Sequence, residues 1–168
     1  MNNINIIATI IIISILILLS SHLFIHKTFH TEVTIPVQPE ALWNALMDEA
    51  QYAKWNTVLV PIEGRIEEGK KLKYEMTDQN NKKSIIRIKV KRALVNQELN
   101  QVGGVPGILT FDHKYILEPT ETGTKLIQHE IDRGLWLLFW DSSWIEDAYI
   151  KTSKNLGSFL TTKNKDAE

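Results

Sequence analysis

The chain has no cysteine, only five prolines, and almost no charge imbalance, with 19 Lys and Arg against 20 Asp and Glu. Without thiols there is no disulfide, no cysteine nucleophile and no thiolate-held metal. A formal net charge of −1 lacks the basic excess of a nucleic-acid binder, so nucleic acid is set aside as a partner. H-E-x-x-H and G-x-S-x-G are also missing, which argues against a catalytic metal or a nucleophile elbow. The glycine-rich run G-G-V-P-G at residues 103–107 has no following Lys-Ser/Thr and no strand-helix context. It is expected to be a flexible loop suited to covering a cavity mouth, not a phosphate cradle. No metal and no cofactor are expected.

Charge is absent altogether from the first 26 residues, apart from the histidines. Residues 4–25 are dominated by Ile and Leu and as a helix would run about 33 Å, enough to cross a hydrocarbon core. A signal peptide would need a positive start and a small-residue cleavage site, and neither is evident, so residues 1–27 are expected to be an uncleaved transmembrane anchor. His26, Lys27 and His30 follow the apolar run while only the α-amine precedes it. The positive-inside bias then places the following domain on the cytoplasmic side. Too few residues separate anchor and domain for a flexible tether, so the domain should lie against the membrane. Residues 28–162 are expected to form it, with 163–168 as a tail.

What is present is strand alternation. Phe29, Thr31, Val33 and Ile35 share one face of a first strand, and Pro39 opens a helix carrying Leu42, Trp43, Leu46 and Met47 at helical spacing. A short second helix over residues 49–55, a strand with Val58, Val60 and Ile62, and strands with Leu72, Tyr74, Met76 and with Ile86, Ile88, Val90 follow as a meander; residues 95–102 make another strand. Lys71, Lys73, Arg87, Lys89 and Lys91 fall on the outward face, read as an ordinary solvated surface rather than a lipid-headgroup site.

Residues 108–138 organise the rest. Leu109, Phe111, His113, Tyr115 and Leu117 alternate with Thr110, Asp112, Lys114 and Glu118, and after a turn at 119–123 the return strand places Gln128, Glu130 and Asp132 at alternate positions. If the turn opposes Leu117 to Leu126, Tyr115 faces Gln128 and His113 faces Glu130. Polar groups on a covered face need partners or a cavity. A last helix, which Asp141 could cap, carries Trp144, Ile145, Ala148, Tyr149, Thr152, Leu156, Phe159 and Leu160 on one stripe, with Gly157 allowing close approach to the sheet.

F-D-H-K-Y-I-L-E-P followed by G-T-K-L-I-Q-H-E-I-D-R-G-L resembles the late hairpin of the SRPBCC or START-like superfamily, in its polyketide cyclase/dehydrase-like branch. Upstream, V-T-I-P-V-Q-P-E-A-L-W-N-A-L-M-D and Y-A-K-W-N are similar to that superfamily's first strand, first helix and tryptophan-bearing second helix, so the resemblance spans residues 29–160. It implies an α+β helix-grip fold, a curved antiparallel sheet wrapped around a long C-terminal helix. His113 and Glu130 match the branch's F-x-H…G-T-x-L-x-x-x-E wording. The superfamily hosts carriers, receptors and cyclases, so fold alone does not name an activity.

From alternation and helix phase, the expected cavity lining is Trp55, Tyr74, Met76, Ile86, Ile88, Phe111, His113, Tyr115, Gln128, Glu130, Trp136, Trp144 and Tyr149. A solid core filled by the same residues is the competing expectation. The favoured function is a binding module for a hydrophobic or amphipathic small molecule such as a lipid, a quinone or a polyketide-like compound; the alternative is a cyclase, dehydratase or hydrolase acting through His113 and Glu130. Nothing in the sequence identifies a protein partner.

Overall fold

The structure, a computed structural model, describes residues 3–165. These form three α-helices and one seven-stranded antiparallel sheet. The elements run α1 (Asn3–Phe24), β1 (His26–Ile35), α2 (Pro39–Met47), β2 (Leu59–Glu63), β3 (Lys71–Thr77), β4 (Lys83–Leu94), β5 (Glu98–Val105), β6 (Leu109–Thr120), β7 (Gly123–Arg133) and α3 (Ile145–Lys165). The sheet order is β1-β7-β6-β5-β4-β3-β2, a meander closed by the return of β1 to β7. Register shifts in β4–β5 between Val90 and Arg92 and in β2–β3 between Pro61 and Glu63 mark the irregularities that bend such sheets. α3 lies in the grip, packed on β1 and α2.

The β6–β7 hairpin has the register its alternation predicts: Leu117 opposes Leu126, Tyr115 opposes Gln128 and His113 opposes Glu130. Period-two alternation with one covered face leaves little freedom here, because a one-residue slip would turn every inward side chain outward.

Several boundaries differ from expectation. β1 begins at His26, inside the segment assigned to the anchor, because the backbone pairs with β7 as far as His26–Arg133. α3 continues through Lys165, past the expected start of the tail; residues 166–168 lie outside the described residues. The second helix is a single 3-10 turn, Tyr52–Lys54. The strand expected at 58–62 is shifted to Leu59–Glu63, and the one expected at 95–102 to Glu98–Val105. Asp141 caps the turn ahead of α3 rather than α3 itself, its Oδ1 accepting from Ser143 N (3.1 Å) and Oγ (2.7 Å).

The glycine run is not all loop. Gly103 and Gly104 belong to β5, where Gly103 pairs with Phe111. A Cβ on Gly103 would stand 2.6 Å from Phe111 Cζ, so glycine lets the aromatic ring lie across the neighbouring strand. The outward lysines make exposed ion pairs, Lys73 with Glu63 and Lys91 with Asp112.

The core and a cavity divide the interior along α3. Leu42, Leu46, Tyr52, Trp55, Tyr74, Leu99, Leu126 and Leu156 are almost fully buried and fill the end where α2 and the later turns of α3 meet the sheet. Gly157 permits that approach: a Cβ there would come 3.3 Å from Ile35 Cγ2. The first half of α3 covers open space instead.

Candidate functional site

That space is a cavity of about 500 Å³ between the concave face of the sheet and the start of α3. Ile86, Ile88, Leu109 and Phe111 from the strands face Trp140, Trp144 and Ile145. The apolar character follows from sequence: inward positions of a half-buried sheet are aliphatic or aromatic, helix phase aims Tyr149 at the same space, and Trp144 reaches it from the turn just ahead of α3.

One wall is polar. Glu130 and Asp132, two apart on β7, project from the same face as His113 and Tyr115 on β6, and all four line the cavity. His113 Nδ1 lies 3.1 Å from Glu130 Oε2, and the two side chains are 6% and 10% exposed. The imidazole is held edge-on by Tyr115 and Tyr149, with ring centroids at 4.6 and 4.9 Å. A carboxylate on Nδ1 fixes the ring's orientation and leaves Nε2 as the free nitrogen. His113 Nε2 and Asp132 Oδ1 are both buried and have no hydrogen-bond partner among the described residues. Such orphans are uncommon in a folded interior and mark either strain or an absent partner.

Electrostatics sharpen this end. Asp132 is pushed up to about 9, by burial first and then by the adjacent Glu130 carboxylate. Two carboxylates in a poorly hydrated space do not both ionise readily, so Asp132 retains a proton at neutral pH and can act as a donor. Tyr149 is driven well above the usual phenol range, by burial and then Glu130, and Tyr115 is pushed up to about 12, mainly by burial. Both remain neutral hydroxyls at physiological pH.

Of the expected lining residues, Met76, Ile86, Ile88, Phe111, His113, Tyr115, Gln128, Glu130, Trp136, Trp144 and Tyr149 stand on the cavity wall. Trp55 and Tyr74 do not. Trp55 stacks on Tyr52 with ring centroids 4.3 Å apart, Tyr52 in turn covers Tyr74 at 6.1 Å, and all three are buried in the solid core. Alternation places Tyr74 on the inward face correctly but is silent on whether helix or empty space lies above it. Gln128 reaches the wall but is already engaged: its amide donates to Ser153 Oγ (2.8 Å) and Tyr149 O (3.0 Å), tying α3 to the sheet.

The structure adds residues that sequence reasoning left out of the site. Asp132 carries the same two-residue alternation as Gln128 and Glu130, so its place was legible. Gln101 was reachable only through the β5–β6 pairing that sets it opposite His113; its amide donates to Tyr74 Oη at 2.8 Å, joining cavity wall to core. Trp140 and Val105 come from the segments flanking the hairpin, where no periodicity points.

A curved antiparallel sheet gripping a C-terminal helix, with a cavity between them, defines a helix-grip protein of the SRPBCC superfamily. Within it, the chain belongs to the Activator of Hsp90 ATPase homolog 1-like protein family, whose profile matches residues 36–159. Solved structures share the fold at low identity. A Mesorhizobium loti protein is 18% identical over 81% of this chain and 98% of its own, with a TM-score of 0.63. A Staphylococcus aureus protein of unknown function is 15% identical over 83% of this chain and 96% of its own, also with a TM-score of 0.63. A protein of the dynemicin biosynthetic locus is 16% identical over 81% of this chain but 48% of its own, with a TM-score of 0.61. No curated protein matches the sequence.

Proposed function

We propose that this protein is a membrane-anchored binding module that holds a hydrophobic or amphipathic small molecule, of the lipid, quinone or polyketide-like kind, in the cavity under α3. The observation that carries the reading is the pairing of a largely apolar chamber of about 500 Å³ with a polar wall at which His113 Nε2 and Asp132 Oδ1 lack partners among the described residues. Drug-sized ligands are commonly held by mostly apolar walls with a few convergent polar groups that set orientation. The ligand's apolar body would occupy the space between Phe111, Ile86 and Trp144, and its carbonyl, hydroxyl or amine would meet the histidine and the carboxyl pair. α1, which is long and apolar enough to cross a membrane, supplies the anchor in this reading, with the binding domain on the cytoplasmic side.

A second reading is an enzyme of the cyclase, dehydratase or hydrolase type using His113 and Glu130. The carboxyl of Asp132, raised to about 9, favours it, since a neutral buried acid beside an oriented imidazole is a workable general acid. A neighbour encoded in a biosynthetic locus is compatible with it.

Extraction of the full chain in mild detergent, followed by mass spectrometry of co-purified small molecules, separates the readings. Recovery of one unchanged apolar compound is the expected result; a substrate–product mixture supports the enzyme, and a chain free of any small molecule that also takes none up from lipid extract rejects the binding module.

A further inference from the structure

The cavity reaches the protein surface where Val105 and Trp136, both lining it, are 56% and 52% exposed. Around that opening lies an apolar cluster: Ile108 is 48% exposed, Leu138 62% and Phe139 73%. Residues 103–109 and 134–140 contain no charged side chain. This is also where α1 docks. Ser21 Oγ donates to Gly107 O at 2.9 Å, a Cβ on Gly107 would stand 2.8 Å from Leu18 O, and Gly134 N donates to Ile25 O at 3.0 Å. Leu135 N also donates to Gly107 O (3.0 Å) and Trp136 N to Ile108 O (2.9 Å), so the β5–β6 turn and the short 3-10 helix Leu135–Leu138 form one rim bound to the end of α1.

The depth of that rim follows from helix geometry. The 21-residue, largely apolar span Ile4–Phe24 rises about 31 Å, close to the roughly 30 Å of a hydrocarbon core, so the helix has little length to spare. Gly107 packs at the level of Leu18 to Ser21, which is about 5 to 9 Å short of Phe24 along the axis. With α1 inserted, the rim therefore lies in the boundary between headgroups and acyl chains, the depth that amphipathic aromatic residues favour.

We infer that the cavity opens into the bilayer that holds α1, and that its ligand enters and leaves sideways through the rim of Val105, Ile108, Trp136, Leu138 and Phe139 without crossing water. The partner surface is the membrane interior and its interface, engaged through apolar contact, because the segments 103–109 and 134–140 that form the rim carry no charged side chain. The geometry rests on insertion of α1, and the purpose of the opening rests on the binding reading above.

The absence of native cysteine permits a direct test. The full chain, carrying a single nitroxide at Val105→Cys, Leu138→Cys or Phe139→Cys, is reconstituted in zwitterionic phosphatidylcholine vesicles, and collision with oxygen is compared with collision with a water-soluble nickel chelate. Ile12→Cys reports insertion of α1, and Val95→Cys, 65% exposed in the turn at the far end of β5, reports water. The expected result is a shift toward oxygen at all three rim positions, as at Ile12, with Val95 favouring nickel. Rim labels that match Val95 while Ile12 reports lipid overturn the inference and leave the anchor and the binding module standing. If Ile12 also reports water, the inference falls together with the anchor. Low exposure to both reagents, with spin–spin broadening that dilutes away with unlabelled chain, assigns the face to a second copy and equally overturns it. Ligand content measured on the same samples tests the cavity reading independently.

Discussion

His113 Nδ1 and Glu130 Oε2 meet at 3.1 Å across the β6–β7 hairpin, in a wall where both side chains are buried and the opposite imidazole nitrogen has no partner among the described residues. If that nitrogen anchors a ligand, His113→Phe and Glu130→Gln should both lower ligand occupancy while leaving the fold intact. The loss of one buried hydrogen bond is worth about 1–3 kcal/mol, or roughly 5- to 150-fold in affinity. Full occupancy in either variant, measured by mass spectrometry of the purified chain, would make the pair a structural one.

Asp132 gives the cavity a pH dependence whose sign is determined. Its folded value of about 9 lies above the ordinary 3.8, so the folded state binds this proton more tightly than the unfolded state. Its contribution to stability is therefore fully present below 3.8, declines as pH rises, and is exhausted above about 9. Asp132→Asn should gain on the parent chain steadily across that window in chemical denaturation of the detergent-solubilised protein. Parallel stability–pH curves for the two would contradict the assignment.

Trp55 and Trp144 separate core from cavity. Trp55→Ala removes a side chain 1% exposed and stacked on Tyr52, and should cost about 3–5 kcal/mol of stability. Trp144→Ala, on the cavity wall, should weaken ligand retention more than folding. The reverse pattern, with Trp144 the more destabilising and ligand content unchanged, would indicate that the space is closed and filled in solution.

Gly157 faces Ile35, and a larger residue there would crowd the Ile35 side chain between α3 and β1. Gly157→Leu is expected to destabilise by about 1–3 kcal/mol through overpacking, even though leucine is the better helix former. A stabilised variant in thermal unfolding would show that α3 can shift freely.

Topology is a separate matter of charge placement. With Lys27 at the exit of α1, the domain is expected to be digested by protease added to inside-out vesicles and protected in right-side-out ones. Protection in the inside-out preparation only would reverse the orientation.

Much of this protein was legible in its sequence because the relevant physics is local. A 21-residue stretch dominated by Ile and Leu, with no Asp, Glu, Lys or Arg, makes a helix of spanning length whatever surrounds it. Alternation along β6, with a turn that opposes Leu117 to Leu126, points to the register in which His113 meets Glu130, and that is the register β6–β7 has. Other features were decided only by tertiary structure. Alternation names the face a side chain points to but not the depth of what covers it, so Tyr74 and Trp55 looked like cavity residues until α2 and Tyr52 were seen packed over them. The raised pKa of Asp132 depends on burial in the folded protein and on the neighbouring Glu130, and burial is a property of the assembled fold. The docking of Leu18 and Ser21 on Gly107 joins segments some 86 residues apart, a contact that no spacing or propensity encodes because neither partner has a local reason to be there. Faces and registers come from the chain's own periodicity, whereas cavities arise from where distant elements stop.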